Sequence, residues 1–313
     1  MPGDEHGPAG TAAVYRRFAE WETRTSPSYQ RWAYGVAGDS ALLDLLQTLP
    51  PGKRQPNLFF AAARLVNGLA GDFAEFRRGV LNNPDAVLDV MRRRRTQTNE
   101  PARCGGMYPL LASLPQPLAL LEVGASAGLC LMPDRYRYDY DGEVVGPDDS
   151  PVRINCRASG RSRHGLTPLQ VAWRAGIDLN PLDVTSDDDV RWLETLVWPE
   201  HQERRDRLRA AIGIARQAPP RVVRGDLNER LAEVAAQAPR DATLVVFHTS
   251  VLWYLDPDAR RRFISQVTSL PARWVSQEDL GVLPEVDAQL PAPRIDHQAC
   301  VLALDQRPVA YTA

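Results

Sequence analysis

Apolar and polar positions recur with two different periods along this chain. Up to about residue 115, apolar residues return every three to four positions, which predicts amphipathic helices. Beyond residue 116, short apolar runs are bounded by glycine, proline and aspartate, which predicts buried strands. Residues 1–10 are polar, and we expect a disordered start. The pattern therefore predicts a helical N-terminal domain at 11–115 and an α/β domain at 116–313.

Strands and helices alternate in the second part, and this order favours a mostly parallel sheet. We expect an inserted β-hairpin at about 136–165. The last two apolar runs form a closing hairpin, so the last strand is predicted to run antiparallel to the others. The predicted strands lie at 118–123, 152–157, 171–179, 221–223, 243–247, 274–278, 300–304 and 309–312, and the helices among them at 187–197, 202–217, 227–236 and 258–270.

A glycine turn follows the first of these strands. Leu118–Val123 is apolar at nearly every position, as in a strand buried on both faces of a parallel sheet. Small residues then fill Gly124–Gly128, and the apolar stretch behind them predicts the start of a helix. Both glycines can adopt positive φ and allow a ligand close to the backbone, while N–H groups at a helix start would face that ligand. Strand, turn and helix together predict a nucleotide-cofactor site.

The motif Glu-x-Gly-x-Ser-x-Gly at this turn resembles the first motif of class I S-adenosylmethionine-dependent methyltransferases. The usual form is acidic-x-Gly-x-Gly-x-Gly, so Ser126 replaces the middle glycine. The resemblance implies a Rossmann-like methyltransferase sheet with S-adenosylmethionine as the cofactor. Glu122, Gly124, Ser126 and Gly128 would hold its amino-acid and ribose part.

Two further acidic residues follow predicted strands. Asp178 ends the second core strand, where Rossmann-like proteins hydrogen-bond ribose hydroxyls. Asp226 follows the strand at 221–223, which in the methyltransferase scheme lies near the adenine. The inserted hairpin explains why Asp178 lies so far from the glycine turn. An ordinary loop or capping residue is the alternative interpretation of Asp178.

The strand at 243–247 ends in polar residues that would face a substrate. His248 is a candidate general base at the carboxyl end of this strand, and a structural histidine is the alternative. Thr249 and Tyr254 follow it as candidate substrate-binding residues. The apolar strand with its Val-Leu-x-Tyr-Leu turn resembles the fourth methyltransferase motif.

The segment at 95–104 is dense in hydrogen-bonding side chains and immediately precedes an apolar helix and the cofactor strand. It is either an ordinary polar loop or a segment that covers the active site. In the second case Glu100 is a candidate base, and the substrate-binding candidates are Gln97, Asn99 and Arg103.

Composition narrows the class of partner. A net charge of −2 gives no indication of a nucleic-acid partner, and no apolar run is long enough for a transmembrane helix. The four cysteines are far apart and form no metal-binding pair, so we predict reduced thiols and no metal. We therefore expect a cytoplasmic protein with a small-molecule substrate, while the sequence does not specify the oligomeric state.

Gly124–Gly128 also spells Gly-x-Ser-x-Gly, the nucleophile elbow of α/β-hydrolases. Asp226 or Asp241, followed by His248 or His297, gives an allowed order of triad residues. The elbow strand of a hydrolase lies mid-sheet with several strands before it, whereas Leu118–Val123 is the first predicted strand. Cofactor binding is therefore the preferred hypothesis, and a serine hydrolase is the alternative.

A set of motifs spread over nearly the whole chain is similar to the domain of unknown function 2332 family. The set comprises Gln97-Thr-Asn-Glu100, Glu122-Val-Gly-Ala-Ser-Ala-Gly-Leu129, Asp134-Arg-Tyr-Arg-Tyr138, Gly176-Ile-Asp178, Pro181-Leu182-Asp183 and Trp198-Pro199. The resemblance implies a methyltransferase-like second part. A non-catalytic ligand-binding protein with the same fold is a third hypothesis, because fold does not establish function.

Overall fold

The computed structural model describes residues 7–156, 166–290 and 300–312. The chain forms two compact units, one of residues 1–98 with 186–206 and the other of residues 99–185 with 207–313. This division differs from the predicted boundary at 115/116, because residues 99–115 group with the sheet and residues 186–206 group with the helices. The first described helix begins at Pro8, inside the predicted disordered start, of which residues 1–6 lie outside the described residues.

The elements are named in chain order. The helices are α1 Pro8–Arg17, α2 Pro27–Ala37, α3 Ser40–Gln47, α4 Pro56–Asn67, α5 Phe73–Asn82, α6 Pro84–Arg93, α7 Arg103–Ala112, α8 Asp187–Leu196, α9 Gln202–Gln217, α10 Leu227–Ala235, α11 Pro257–Ser269 and α12 Pro284–Asp287. The strands are β1 Leu118–Val123, β2 Arg137–Tyr140, β3 Glu143–Val145, β4 Arg153–Cys156, β5 Val171–Asp178, β6 Arg221–Arg224, β7 Thr243–Thr249, β8 Arg273–Asp279, β9 Cys300–Leu304 and β10 Arg307–Thr312.

The helical unit packs around α4, whose apolar face is fully buried. Pro56 starts this helix and Gly68, at φ 80°, ends it. Arg64 on α4 holds the returning segment of the same unit, because its Nη1 donates to the carbonyl oxygens of Thr195 at 2.9 Å and Val197 at 2.8 Å. These two hydrogen bonds from a charged donor hold the carboxyl end of α8 to α4.

The second unit contains a seven-stranded sheet in the order β10-β9-β8-β7-β1-β5-β6. Strands β6, β5, β1, β7 and β8 are parallel, whereas β9 runs antiparallel to β8 and β10 antiparallel to β9. The prediction of an α/β fold with a mostly parallel sheet is confirmed. The antiparallel strand is β9 rather than the last one, because the closing hairpin restores the parallel direction in β10.

The inserted segment forms a second sheet in the order β3-β2-β4. Strands β2 and β3 make the predicted hairpin, with Asp141 and Gly142 at positive φ in the turn. The strand predicted at 152–157 is confirmed as β4, which pairs with β2 in the parallel direction and makes the hairpin a three-stranded sheet. Of the expected hairpin segment, residues 157–165 lie outside the described residues. No helix within the described ranges is long and apolar enough to cross a membrane.

Candidate functional site

The strand order of the large sheet reverses between β1 and β7, which are direct neighbours. Strands β5 and β6 follow on one side of β1, and β8 follows on the other side of β7. In open α/β sheets, ligands bind beyond the carboxyl ends of the strands at such a reversal. Two candidates from the sequence lie at these ends, Glu122 on β1 and Thr249 on β7.

The glycine turn after β1 requires left-handed backbone at three positions. Gly124, Ser126 and Gly128 have φ values of 73°, 51° and 71°. The predicted positive φ of both glycines is thereby confirmed. Gly124 also packs tightly, since a Cβ atom there would lie 2.4 Å from Cγ2 of Val251, just beyond β7. The turn therefore joins the ends of the two strands that flank the reversal.

Every N–H group of this turn donates a hydrogen bond within the protein. None is left for a phosphate, the ligand that glycine turns at helix starts ordinarily bind. The acceptors are the Ile177 carbonyl for Gly124 and Ala125 (2.8 and 3.1 Å), Asp178 Oδ2 for Ser126 (2.7 Å), Asn99 Oδ1 for Ala127 (3.1 Å) and the Ala125 carbonyl for Gly128 (2.7 Å).

The prediction of a helix after the glycine turn is wrong. Residues 129–135 instead form two short 3₁₀ turns, because Pro133 lacks an N–H group and disfavours helical backbone at Met132. Tyrosine hydroxyls donate to carbonyls of these turns, Tyr136 to Leu129 at 2.6 Å and Tyr138 to Pro133 at 2.8 Å. Alternate residues of the Tyr-Arg-Tyr-Asp-Tyr stretch thus replace the hydrogen bonds of a helix.

Glu122 carries the least satisfied carboxyl group of the site. Its side chain is 4% exposed, and Oε2 has no hydrogen-bond partner in the described part of the chain. Burial raises the pKa of this carboxyl well above its usual range, Cys130 and Asp178 act in the same direction, and the Arg103 guanidinium opposes them. A buried polar atom without a partner is unusual in folded proteins, and a ligand or an ordered water at this strand end would supply the missing hydrogen bond.

The raised pKa predicts how Glu122→Gln changes stability. The folded protein retains a proton that the unfolded chain loses above about pH 4.3, so wild-type stability decreases as pH rises from there toward the folded pKa. Glutamine cannot ionise, and the variant should become progressively more stable than wild type across this window. Urea unfolding between pH 4 and 8 measures the difference, with the exposed Glu229→Gln on α10 as the control. A constant difference over this range would contradict the prediction.

The two acidic residues predicted to bind the cofactor lie at neighbouring strand ends. Asp178 ends β5 and accepts from the N–H groups of Ser126 and Asn180, each at 2.7 Å. Asp226 follows β6 and caps α10 by accepting from the N–H of Asn228 at 2.7 Å. Each carboxylate has lone pairs beyond these bonds, so both can accept from a ligand.

Leu179 is a candidate ligand contact that sequence reasoning missed. It directly follows Asp178 at the end of β5 and is 62% exposed. An exposed aliphatic side chain beside a carboxylate is a surface on which a planar ring can pack. The sequence could have indicated Leu179 as a ligand contact, because it directly follows Asp178, the predicted ribose-binding residue.

Three of the predicted substrate-binding residues lie beyond the end of β7 or contact it. Arg103, the first residue of α7, donates from Nη1 to the Thr249 carbonyl at 2.9 Å and to Thr249 Oγ1 at 3.1 Å. Tyr254 is 63% exposed, and its ring centroid lies 3.8 Å from that of Trp253. Trp253 was missed by the sequence argument, although it lies inside the turn motif that was singled out.

The polar segment before α7 supports the glycine turn. Asn99 donates from Nδ2 to Ser126 Oγ and accepts from the Ala127 N–H, so both ends of its amide are engaged. Glu100 Oε1 accepts from Arg207 Nε at 2.8 Å, which pairs the candidate base with a cation. Gln97 belongs to the helical unit, and its role in substrate binding stays a prediction.

His248 lies inside the core rather than in the site. It is 0% exposed, Nδ1 is 2.6 Å from Glu278 Oε1, and Nε2 accepts from Trp274 Nε1 at 3.0 Å. Glu278 also accepts from the N–H groups of Val251 and Leu252, at 2.8 and 3.0 Å. Both ring nitrogens are occupied, and this geometry favours the structural alternative over a general base.

The same geometry bears on the hydrolase alternative. Ser126 is 3% exposed, and its hydroxyl accepts from Asn99. Within the described ranges no histidine forms a hydrogen bond with Ser126, and His297 lies outside them. The described residues therefore assemble no Ser-His pair at the Gly-x-Ser-x-Gly turn.

Within the described ranges, no group of three or more histidine, cysteine or acidic side chains could hold a metal ion. No curated protein matches the chain. A family model described as an uncharacterized protein conserved in bacteria (DUF2332) matches residues 12–306, nearly the full length. The chain therefore belongs to the DUF2332 family.

Proposed function

We propose that this protein binds S-adenosylmethionine at the β1/β7 reversal and transfers its methyl group to a small molecule. The observation that carries the proposal is the buried Glu122 carboxyl, whose Oε2 has no partner in the described part of the chain. It lies near the carboxyl end of β1 at the reversal of strand order, where ligands bind in open α/β sheets.

The charges at the strand ends favour a cofactor without phosphate groups. The N–H groups of Gly124–Gly128 are all engaged, and the turn is not followed by an α-helix whose N-terminus would attract an anion. The carboxylates of Asp178 and Asp226 lie at the ends of neighbouring strands and would repel phosphate, while the buried Glu122 carboxyl offers an acceptor oxygen. S-adenosylmethionine instead carries a sulfonium and an ammonium, which carboxylates attract.

The residues present fit the parts of this cofactor one by one. Glu122 would accept from the ammonium group, which would supply the missing partner of Oε2. Asp178 would accept from the ribose hydroxyls, and Leu179 would pack against one face of the adenine ring. Asp226, beyond β6, would accept from the adenine amino group. These contacts use carboxyl lone pairs and exposed apolar surface that are not used within the folded protein.

The protein's contribution to the reaction is mainly positioning. When bound, S-adenosylmethionine supplies an electrophilic methyl group on sulfur, and in-line displacement depends on orientation. Both predicted bases are engaged, since Glu100 pairs with Arg207 and His248 bonds Glu278 and Trp274. We therefore propose that the chain binds and orients a nucleophile rather than deprotonating it.

Leu179→Ser tests the adenine contact with little risk to folding, because the side chain is 62% exposed. Loss of one leucine contact of about 1.4 kcal/mol corresponds to a roughly tenfold weaker Kd. We expect this loss for S-adenosylhomocysteine measured by calorimetric titration. Leu69→Ser is the matched control, since Leu69 is 60% exposed in the helical unit and should leave the Kd unchanged.

Two outcomes would contradict the proposal. Equal Kd values for Leu179→Ser and Leu69→Ser would remove the adenine contact from the site. Labelling of Ser126 by a fluorophosphonate probe, without cofactor binding, would instead favour the serine hydrolase alternative.

A further inference from the structure

We infer that Arg103 is the receptor for a carboxylate group of the substrate and that Trp253 and Tyr254 pack against a planar, apolar part of the same molecule. The inference rests on the proposed function and names its substrate class. It is carried by an anchored guanidinium and a neighbouring exposed aromatic pair, both at the carboxyl end of β7.

Arg103 is held in place on one side only. Both of these hydrogen bonds come from Nη1 and go to Thr249, which is buried at the end of β7. In the described ranges, no carboxylate forms an ion pair with Arg103. The other guanidinium donors are available in a fixed plane, and this geometry matches a carboxylate in two parallel hydrogen bonds.

The buried Glu122 does not neutralise Arg103. Glu122 interacts electrostatically with the guanidinium, yet burial raises the pKa of Glu122 and favours its uncharged form. A partly buried cation without a charged partner is costly, and an anionic ligand would remove this cost. The site therefore favours a negatively charged group on the substrate.

The aromatic pair supplies the apolar surface. Trp253 and Tyr254 are 50% and 63% exposed, and Trp253 Nε1 donates to the Ser250 carbonyl at 3.2 Å, which fixes the indole. Arg103 bonds Thr249, and Trp253 bonds the next residue, Ser250, so the guanidinium and the indole are anchored to adjacent residues at the end of β7. One small ligand can therefore contact both the cation and the aromatic rings.

A carboxylate substrate also agrees with the fact that both candidate bases are already engaged within the protein. Carboxylic acids are ionised at neutral pH, so a carboxylate oxygen can attack the methyl carbon without losing a proton. The new O–C bond gives a methyl ester, and the S–C bond breaks with its electron pair on sulfur, which leaves as S-adenosylhomocysteine. Neither Glu100 nor His248 offers an unengaged basic atom of the kind that an alcohol or amine substrate would require.

The test uses 4-fluorobenzoate as the probe, followed by ¹⁹F NMR titration of the full chain. We expect wild type to bind it, Arg103→Gln to bind at least tenfold more weakly, and the uncharged 4-fluorobenzamide to bind both proteins equally. Arg221→Gln is the matched control, because Arg221 lies at the opposite, amino end of β6 and is exposed. Trp253→Ala should weaken benzoate and benzamide alike.

Calorimetry with S-adenosylhomocysteine separates the substrate from the cofactor as the source of the carboxylate. Unchanged affinity in Arg103→Gln would support the inference, whereas a loss of cofactor affinity with unchanged benzoate binding would overturn it. Absence of benzoate binding to wild type, or equal binding to Arg103→Gln, would also overturn it. Arg103-dependent benzoate binding without any cofactor binding would support the carboxylate receptor and refute the methyltransferase proposal.

Discussion

Replacing Glu278 by leucine is expected to lower the free energy of unfolding by about 3–5 kcal/mol, the range for breaking a buried polar network by removing one partner. One carboxylate oxygen accepts from His248 Nδ1 and from the N–H groups of Val251 and Leu252. Leucine keeps the bulk of the side chain and leaves these donors buried without an acceptor. Urea unfolding followed by circular dichroism measures the loss.

Glu278→Gln is the control for this network. Its amide oxygen can still accept from the two backbone N–H groups, so we expect a loss of only about 1 kcal/mol. A small effect for Glu278→Leu would contradict the account, because it would mean that the end of β7 is fixed without this carboxylate. Glu278 also orients the His248 ring through Nδ1, while Trp274 donates to the second ring nitrogen, Nε2.

Gly124→Ala is expected to cost about 2–4 kcal/mol, the sum of a strained positive φ and an overpacked contact. The added Cβ would lie 2.4 Å from Val251 Cγ2, and the residue has φ 73°. The double variant Gly124→Ala with Val251→Ala should recover the part due to the clash. Thermal and urea unfolding of the three proteins give these values.

Gly142→Ala isolates the backbone contribution. Gly142 has φ 101° with no atom within 4 Å of an added Cβ. We therefore expect Gly142→Ala to lower the free energy of unfolding by only about 1–2 kcal/mol. If Gly124→Ala and Gly142→Ala cost the same, and removal of the Val251 methyls gives no recovery, close contact between the turn and the end of β7 would be refuted.

The parts of the fold that could be predicted from sequence were those that depend on local pattern. The apolar run of β1 identified a central strand, because both faces are buried and polar residues are excluded. The crowding of small residues after it identified a positive-φ turn at Gly124 and Gly128. Asp178 was correctly located at the end of the neighbouring strand, since β5 pairs with β1.

Features that depend on distant partners could not be predicted in the same way. The segment after Gly128 has an apolar composition that suits a helix, but Pro133 and the hydroxyls of Tyr136 and Tyr138 stabilise two 3₁₀ turns. The Tyr-x-Tyr spacing was visible in the sequence, yet its acceptors are set by tertiary packing.

The candidate site shows the same limit. Asn99 was selected as a ligand-binding residue for its polarity, but both ends of its amide bind the glycine turn. His248 was selected for its place near a strand end, yet both of its ring nitrogens form hydrogen bonds in the core, with Glu278 and Trp274. The structural polar residues are those whose donors and acceptors are already bonded within the protein, and these partners are distant in sequence, so the local pattern does not reveal them.

The central claim is that the β1/β7 reversal binds an adenosyl cofactor without phosphate. Calorimetric titration of the wild-type chain with S-adenosylhomocysteine, and in parallel with the phosphate-bearing nicotinamide adenine dinucleotide, tests it most directly. The account predicts saturable one-site binding of S-adenosylhomocysteine with micromolar Kd, about −8 kcal/mol, and no binding of the dinucleotide. Binding of the dinucleotide alone, or of neither compound, would contradict it.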